Sequence, residues 1–387
     1  MLNKIAKKTT QLVFVKLETV SGTLVYPASV DSTPTVGRIQ ASQTPGYTNS
    51  PEIQDSRGVK SRFQDGFPAG DFTIELVPRL NAAGTAPVAA PLFESLMGTK
   101  TVNAGVSVGY TQADARPSFS LCYRQGHAVH WVSGAKVAEA KISLSDKKGP
   151  VQISFTGKFL KEITAGDDQV AVLVVAAQAV VGVSEAKRFM VGARVYNPAC
   201  AANGGAADDN AAVGYEVLAV DTALNQLILA ANVGFDWTVD EEVRGFLPAG
   251  QTVGTPLEKR HAVVTFGGVE GAVTAFEVTL SDAVQPIENE ITSSPYPTES
   301  VEGERKVSGS YKVYFRRERS DELIAANAGA ERAVVLTLGE TRKLTLTLPR
   351  VPLEVAKVEE DGPVLVLANQ FEALETNGDD SASLSFT

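Results

Sequence analysis

The chain has 387 residues, 44% of them hydrophobic and 21% charged, and carries a formal net charge of −10. That is apolar material for two or three ordinary domains, and an acidic balance is the wrong sign for a protein built to grip nucleic acid. Aromatics are scarce at 7%, while Ala, Val, Thr and Gly are abundant, so the class leans towards β.

The N-terminus carries Lys4, Lys7 and Lys8, but Thr9-Thr10-Gln11 breaks the apolar core that a signal peptide needs after its cations, so none is predicted. Residues 11–26 read as strands, with Leu12, Phe14 and Leu17 inward and a turn at Ser21-Gly22. From Pro27 to about Val59 the chain is rich in Pro, Gly, Ser, Thr and Gln and reads as a long irregular arm. Then comes Gly70-Asp71-Phe72-Thr73-Ile74-Glu75-Leu76, a strand with one dry and one wet face. A short helix closed by Gly98, a strand near Phe119 and another from His127 to Trp131 come next. Ala138, Ala140, Ile142 and Leu144 then point one way, and a Gly149-Pro150 corner opens the strand of Val151, Ile153 and Phe155.

The same order returns near the C-terminus. An irregular segment, 285–304, precedes Gly309-Ser310-Tyr311-Lys312-Val313-Tyr314-Phe315, which alternates as the first Gly-led strand does. A helix-like stretch at 321–329 ends in a glycine, strands occupy 333–336 and 343–348, and Gly362-Pro363 opens a last one. The loops shorten in the second copy while the element order survives, the kind of self-similarity that marks a duplication. Residues 166–253 match neither copy. They contain the apolar run 170–183, too short and too rich in Ala and Gly to span a bilayer, and strands near 190–196, 215–220 and 227–230 with a hairpin turn before Asn225. The predicted organisation is therefore mainly β: a first unit at 1–165, an inserted small all-β domain at 166–253 and a second unit at 254–387.

Chemistry-bearing patterns are weak. His127 and His130 form H-x-x-H, but residues three apart on a strand face opposite sides and do not share a metal. There is no H-E-x-x-H and no P-loop. Asp208-Asp209 and Asp379-Asp380 lack the spaced oxygens of a calcium loop and read as solvated turns, as do Glu241-Glu242 and Glu359-Glu360-Asp361. Cys122 and Cys200 imply neither a disulfide framework nor a zinc site and read as idle thiols of a reduced compartment. No catalytic, cofactor or metal site is predicted, and the reading is of a non-secreted, non-enzymatic structural protein. Arg305, Lys306, Arg316, Arg317 and Arg319 cluster around the second Gly-led strand and are expected at contacts between subunits. A duplicated sheet with exposed rims is satisfied by closing a ring, and three chains of two units each would make six units.

The stretch from Asp55-Ser56-Arg57-Gly58-Val59-Lys60 to Leu76 and that from Glu302-Gly303-Glu304-Arg305-Lys306-Val307-Ser308-Gly309 to Phe315 resemble the tail tube proteins of long-tailed, siphovirus-like bacteriophages. The resemblance covers about residues 9–162 and 256–387. It implies two tandem sandwich or half-barrel units and trimeric rings of pseudo-sixfold symmetry. The rings would stack into a hollow tube for DNA ejection in the virion, assembled in the host cytoplasm. Implied partners are further copies of the chain, a tape-measure protein, tail-tip and terminator proteins, and viral DNA that passes without sequence-specific binding; no membrane is involved. An extra exterior β-domain would fit 166–253, although here it lies between the units rather than at the C-terminus. Thr73, Glu75, Lys312 and Tyr314, on the polar side of the two Gly-led strands, are the expected lumen-facing residues. The alternatives are a carbohydrate-binding, adhesin-like β protein, which would need exposed aromatics beyond Trp131 and Trp237, or another phage tail component such as a sheath or baseplate protein.

Overall fold

The computed structural model describes residues 11–50, 61–81, 86–316, 328–354 and 357–387. It is mainly β, built of antiparallel sheets, with one α-helix among the described residues. The chain divides into two compact units: residues up to 33, 120–134 and 161–251 form one, and 34–119, 135–160 and 252–387 the other. This division follows packing rather than the three consecutive segments expected from sequence. Phe14, Cys122, Val129 and Trp131 share a buried cluster with Val181, Val195, Tyr215 and Trp237 of the 166–253 segment.

In the first unit that segment forms a six-strand path: Asp167–Gln169, Glu242–Gly245, Arg194–Tyr196, Tyr215–Asp221, Gln226–Leu229, Val180–Gly182. Val170 bridges Val183 just past the two end strands, so the path comes back on itself. The hairpin turn predicted before Asn225 is present, with Asn225 at φ 53°. Strand Gln11–Leu17 buries three successive residues, Val13, Phe14 and Val15, instead of alternating, and residues 24–26 are not a strand. Both cysteines are free and buried, and burial pushes the Cys122 thiol far up.

The second unit holds an eight-strand path and a seven-strand sheet. The seven run in the order Val269–Gly271, Val263–Phe266, Glu331–Leu338, Leu344–Pro352, Ser383–Phe386, Ser107–Gln112, Gly98–Asn103. The helix, Ala90–Met97, starts with Pro91 and stops at Gly98, whose φ of 100° suits glycine. It buries Leu92, Phe93, Leu96 and Met97. The Phe93 ring meets Phe155 at 5.3 Å, edge to face, and Phe386 at 5.0 Å. The helix expected at 321–329 lies outside the described residues apart from its final glycine turn.

The eight-strand path reads as two four-strand halves: Gln40–Ser42, Gly70–Leu76, Ile153–Phe159, Ala128–Leu144, then Val273–Pro286, Ser300–Tyr314, Val364–Ala373, Lys357–Asp361. The pairing order is the same in each half. A second pairing order repeats too: strands 11–17, 119–125, 128–144 and 161–165 pair in the order of 263–266, 331–338, 344–352 and 383–386. In the first copy one long strand, Ala128–Leu144, pairs with Lys161–Ala165 through its early residues and with Ile153–Phe159 through its later ones. In the second copy these roles fall to two strands, Leu344–Pro352 and Lys357–Asp361. Two segments expected to be irregular are partly strand. Gln40–Ser42 and Tyr47–Asn49 lie in the first arm, and the second Gly-led strand begins at Ser300, leaving 287–299 as the loop.

Candidate functional site

The feature that sets this chain apart from a closed globule is the eight-strand sheet, so the candidate site is built from its strands. Each Gly-led stretch begins with a glycine under an aromatic ring, Gly70 at the start of its strand and Gly309 within Ser300–Tyr314. A Cβ at Gly70 would fall 2.0 Å from Phe159, and one at Gly309 2.4 Å from Phe371. Gly70 stands opposite Phe159 and Gly309 opposite Phe371 in the strand pairing, so the same device recurs in both halves. From there Phe72, Ile74 and Leu76 in one strand and Tyr311 and Val313 in the other are buried. Phe315 lies past the strand end and is only half buried. Burying such side chains contributes about 1.5–3 kcal/mol each, which fixes the register, since a one-residue slip would turn the whole set into water.

The opposite face is polar and open. Thr73 is half exposed and Glu75 exposed; Lys312 and Tyr314 are exposed on the matching strand. The four predicted residues thus lie on one face of one sheet, as the alternation required. Rows of polar side chains run across the strands: Glu75, Ser154, Lys141, Thr279, Ser308 and Glu372 are successive partners, and Thr73, Thr156, Glu139, Ser281 and Lys306 form the next row. The lysines of this face are held by carboxylates on neighbouring strands. Lys158 reaches Asp71 at 2.7 Å, Lys141 reaches Glu277 at 2.8 Å, Lys306 reaches Glu372 at 2.7 Å and Lys312 reaches Glu359 at 2.7 Å. Hydrogen bonds to these carboxylates push the Lys306 and Lys312 ammonium groups up, and the Lys312 bond holds the Glu359 carboxyl down. Glu75 and Glu139 add carboxylates to the same rows, so acid exceeds base.

The two halves meet where Glu139–Leu144 pairs antiparallel with Phe276–Ser281. Beside this join lies a buried ionic cluster. The Arg116 guanidinium donates to the Val137 carbonyl at 2.8 Å and faces Asp282 at 3.2 Å. Arg305 donates to Asp282 at 3.0 Å, to Asp379 at 2.6 Å and to the Ala113 carbonyl at 2.8 Å. Lys136 pairs with Glu302. Burial lowers the Arg116 pKa, against the pull of Asp282. Of the cations expected between subunits, Arg305 is thus occupied inside its own chain, Lys306 sits on the polar face, Arg316 is exposed, and Arg317 and Arg319 lie outside the described residues.

The residues leading into the first Gly-led strand meet the 287–299 loop. The rings of Phe67 and Tyr296 stack at 4.7 Å, the Phe67 N–H donates to the Pro295 carbonyl at 2.7 Å, and the Ala69 N–H to Glu288 at 2.8 Å.

Sequence reading missed the buried acids. Asp208, expected in a solvated turn, is buried and accepts from Trp237 Nε1 at 2.8 Å, Tyr215 OH at 2.6 Å and the Gly234 N–H at 3.1 Å. Glu241, only half-buried, accepts from Asn197 Nδ2 and from the N–H groups of Ala201 and Thr238. A nearby Trp and Tyr in need of a polar partner was the available signal. The histidines take separate acids, His127 with Asp167 at 2.8 Å and His130 with Glu162 at 2.6 Å, and no group of metal-ligating side chains forms among the described residues. Sequence reading, which found no G-x-S-x-G, overlooked one run of that form, Gly105-Val106-Ser107-Val108-Gly109, but it lies on the hairpin of Gly98–Asn103 and Ser107–Gln112. A nucleophile elbow needs a strand-to-helix turn instead. Trp131 and Trp237 are buried and offer no ring to a sugar. No helix among the described residues is long and apolar enough to cross a membrane.

No curated protein sequence matches the chain. The model of the phage tail tube protein family matches residues 9–387, nearly its whole length. A doubled, two-faced sheet and a family match of that extent point the same way: the chain belongs to the phage tail tube proteins, structural components of the virion tail.

Proposed function

We propose that three copies of this chain close into a ring of pseudo-sixfold symmetry, and that stacked rings form the conduit through which the phage genome leaves. The observation that carries this is the join between the two half-sheets. The chain already pairs one four-strand half with the next, edge to edge, and presents two edges of the same kind that are unpaired among the described residues, Gln40–Ser42 and Lys357–Asp361, at the ends of the path. Repeating the join between copies removes both edges, and barrels of about 16 strands or more leave an aqueous channel.

The polar face is the lumen, with Thr73, Glu75, Lys312 and Tyr314 on it and Lys306 beside them. Its lysines are tied to carboxylates, so DNA phosphates meet few free cations and are repelled by the surplus acid. Arg316, with Arg317 and Arg319, keeps the role of contacting neighbouring subunits. The segment 166–253 decorates the exterior, and a tape-measure protein occupies the lumen during assembly in the host cytoplasm, with tail-tip and terminator proteins at the ends. Negative-stain microscopy of the purified protein tests the reading: rings or tubes with a central hole are expected, and monomers at every concentration would overturn it.

A further inference from the structure

The internal join also specifies how one copy meets the next, residue by residue; this inference rests on the ring reading above. With Gly70 matched to Gly309 and Phe159 to Phe371, the strand pairings align the two halves throughout. Lys141 then corresponds to Glu359 and Ser143 to Asp361, because each pair stands at the same place against the neighbouring strand. On the other edge Glu277 corresponds to Ser42, and Thr279 to Thr44 two residues further on. Inside the chain Ser143 faces Glu277 and Lys141 faces Thr279.

We propose that the outer strand Lys357–Asp361 of one copy pairs antiparallel with residues 42–46 of the next, which continue the line of strand Gln40–Ser42, Asp361 opposite Ser42 and Glu359 opposite Thr44. Burial argues for such a cover independently of the pairing pattern. Ala140 and Ile153, which the second half covers, are 2% and 1% exposed, whereas their equivalents Val358 and Leu365 are 49% and 47% exposed. The occupant that restores the missing cover is the strand that plays the same part inside the chain, carried by a second copy. The seam is not a replica, however. Ile142, opposite Val278 on the apolar side of the internal join, corresponds to Glu360, which would face Gln43. A carboxylate on the inward side of an edge strand hinders indiscriminate pairing. It makes this seam weaker than the internal one, so the chain folds first and assembles afterwards.

The test is disulfide trapping in the assembled full-length protein. Residues directly opposite in an antiparallel pair have Cα atoms about 4.5–5.5 Å apart, within disulfide reach, while partners two residues out of register stand about 7–8 Å apart. Ser42→Cys with Asp361→Cys, and separately Thr44→Cys with Glu359→Cys, are expected to give covalent dimers and closed trimers on mild oxidation. The crossed pair, Ser42→Cys with Glu359→Cys, is expected to give several-fold less. Ser42, Thr44 and Asp361 are exposed and Glu359 is half-buried, while the native Cys122 and Cys200 are buried. Rings that trap the crossed pair best, or trap none of the pairs, would overturn the register and leave the tube reading standing. Absence of rings in the unsubstituted protein would overturn the tube reading itself, and this proposal with it.

Discussion

The 166–253 segment and the eight-strand sheet solve the same problem, unpaired strand edges, in opposite ways. The segment brings its strand path back on itself through the Val170–Val183 bridge and pins its loops with buried carboxylates such as Asp208. The sheet keeps two rims open and relies on apolar alternation, with its charges on the wet face. One closes its strands within the chain, and the other, on the proposed reading, is half of a contact. Destabilising the segment should therefore cost folding, whereas altering the sheet rims or the wet face should cost assembly or transport.

The largest expected effect lies in the segment. Asp208→Ala strips Trp237, Tyr215 and Gly234 of their acceptor, and leaving such buried donors unmet costs about 3 kcal/mol or more. Hydrogen exchange should show residues 215–237 losing protection while the sheet strands keep theirs; equal loss in both would erase the contrast. Next come Gly70→Ala and Gly309→Ala, each driving a methyl into an aromatic ring, and at Gly309 also onto the Glu277 carbonyl oxygen, at a cost of about 1–3 kcal/mol. Both substitutions should lower the urea midpoint, Gly309→Ala at least as much as Gly70→Ala, and an unchanged midpoint in either would break the likeness of the two halves.

Acid should separate the regions further. Burial alone would raise the Glu241 carboxyl, but hydrogen bonds from the Ala201 and Thr238 N–H groups, with that of Asn197, outweigh it and hold it below its usual range. A depressed carboxylate contributes stability above its unfolded pKa and loses it as pH falls through the folded value. Acid titration from about pH 5 downward should therefore loosen the segment in the wild type more than in Glu241→Gln, as followed by Trp237 fluorescence. The smallest change in stability belongs to the wet face. Glu75→Lys and Glu359→Gln should leave melting and ring formation unchanged, yet slow DNA ejection, the first by adding a cation and the second by freeing Lys312. Unchanged ejection in both would mean that this face does not line the channel.

Alternation alone told which residues of the Gly-led strands turn inward. Phe72, Ile74, Tyr311 and Val313 are buried, and Thr73, Glu75, Lys312 and Tyr314 share the opposite face, because a strand has a fixed period of two. Element order likewise exposed the doubling, since the recurring Gly-led strands and Gly-Pro corners are local features. Which strands pair was not legible, because pairing joins residues more than a hundred positions apart, as in Glu139 with Ser281. Nor was the burial of Asp208, or the capture of Arg305 by Asp282 and Asp379, since a charged side chain reads as solvated until distant donors or acceptors close around it. Local sequence thus determined the faces of the strands, and tertiary structure alone decided which edges and charges were left for a neighbour.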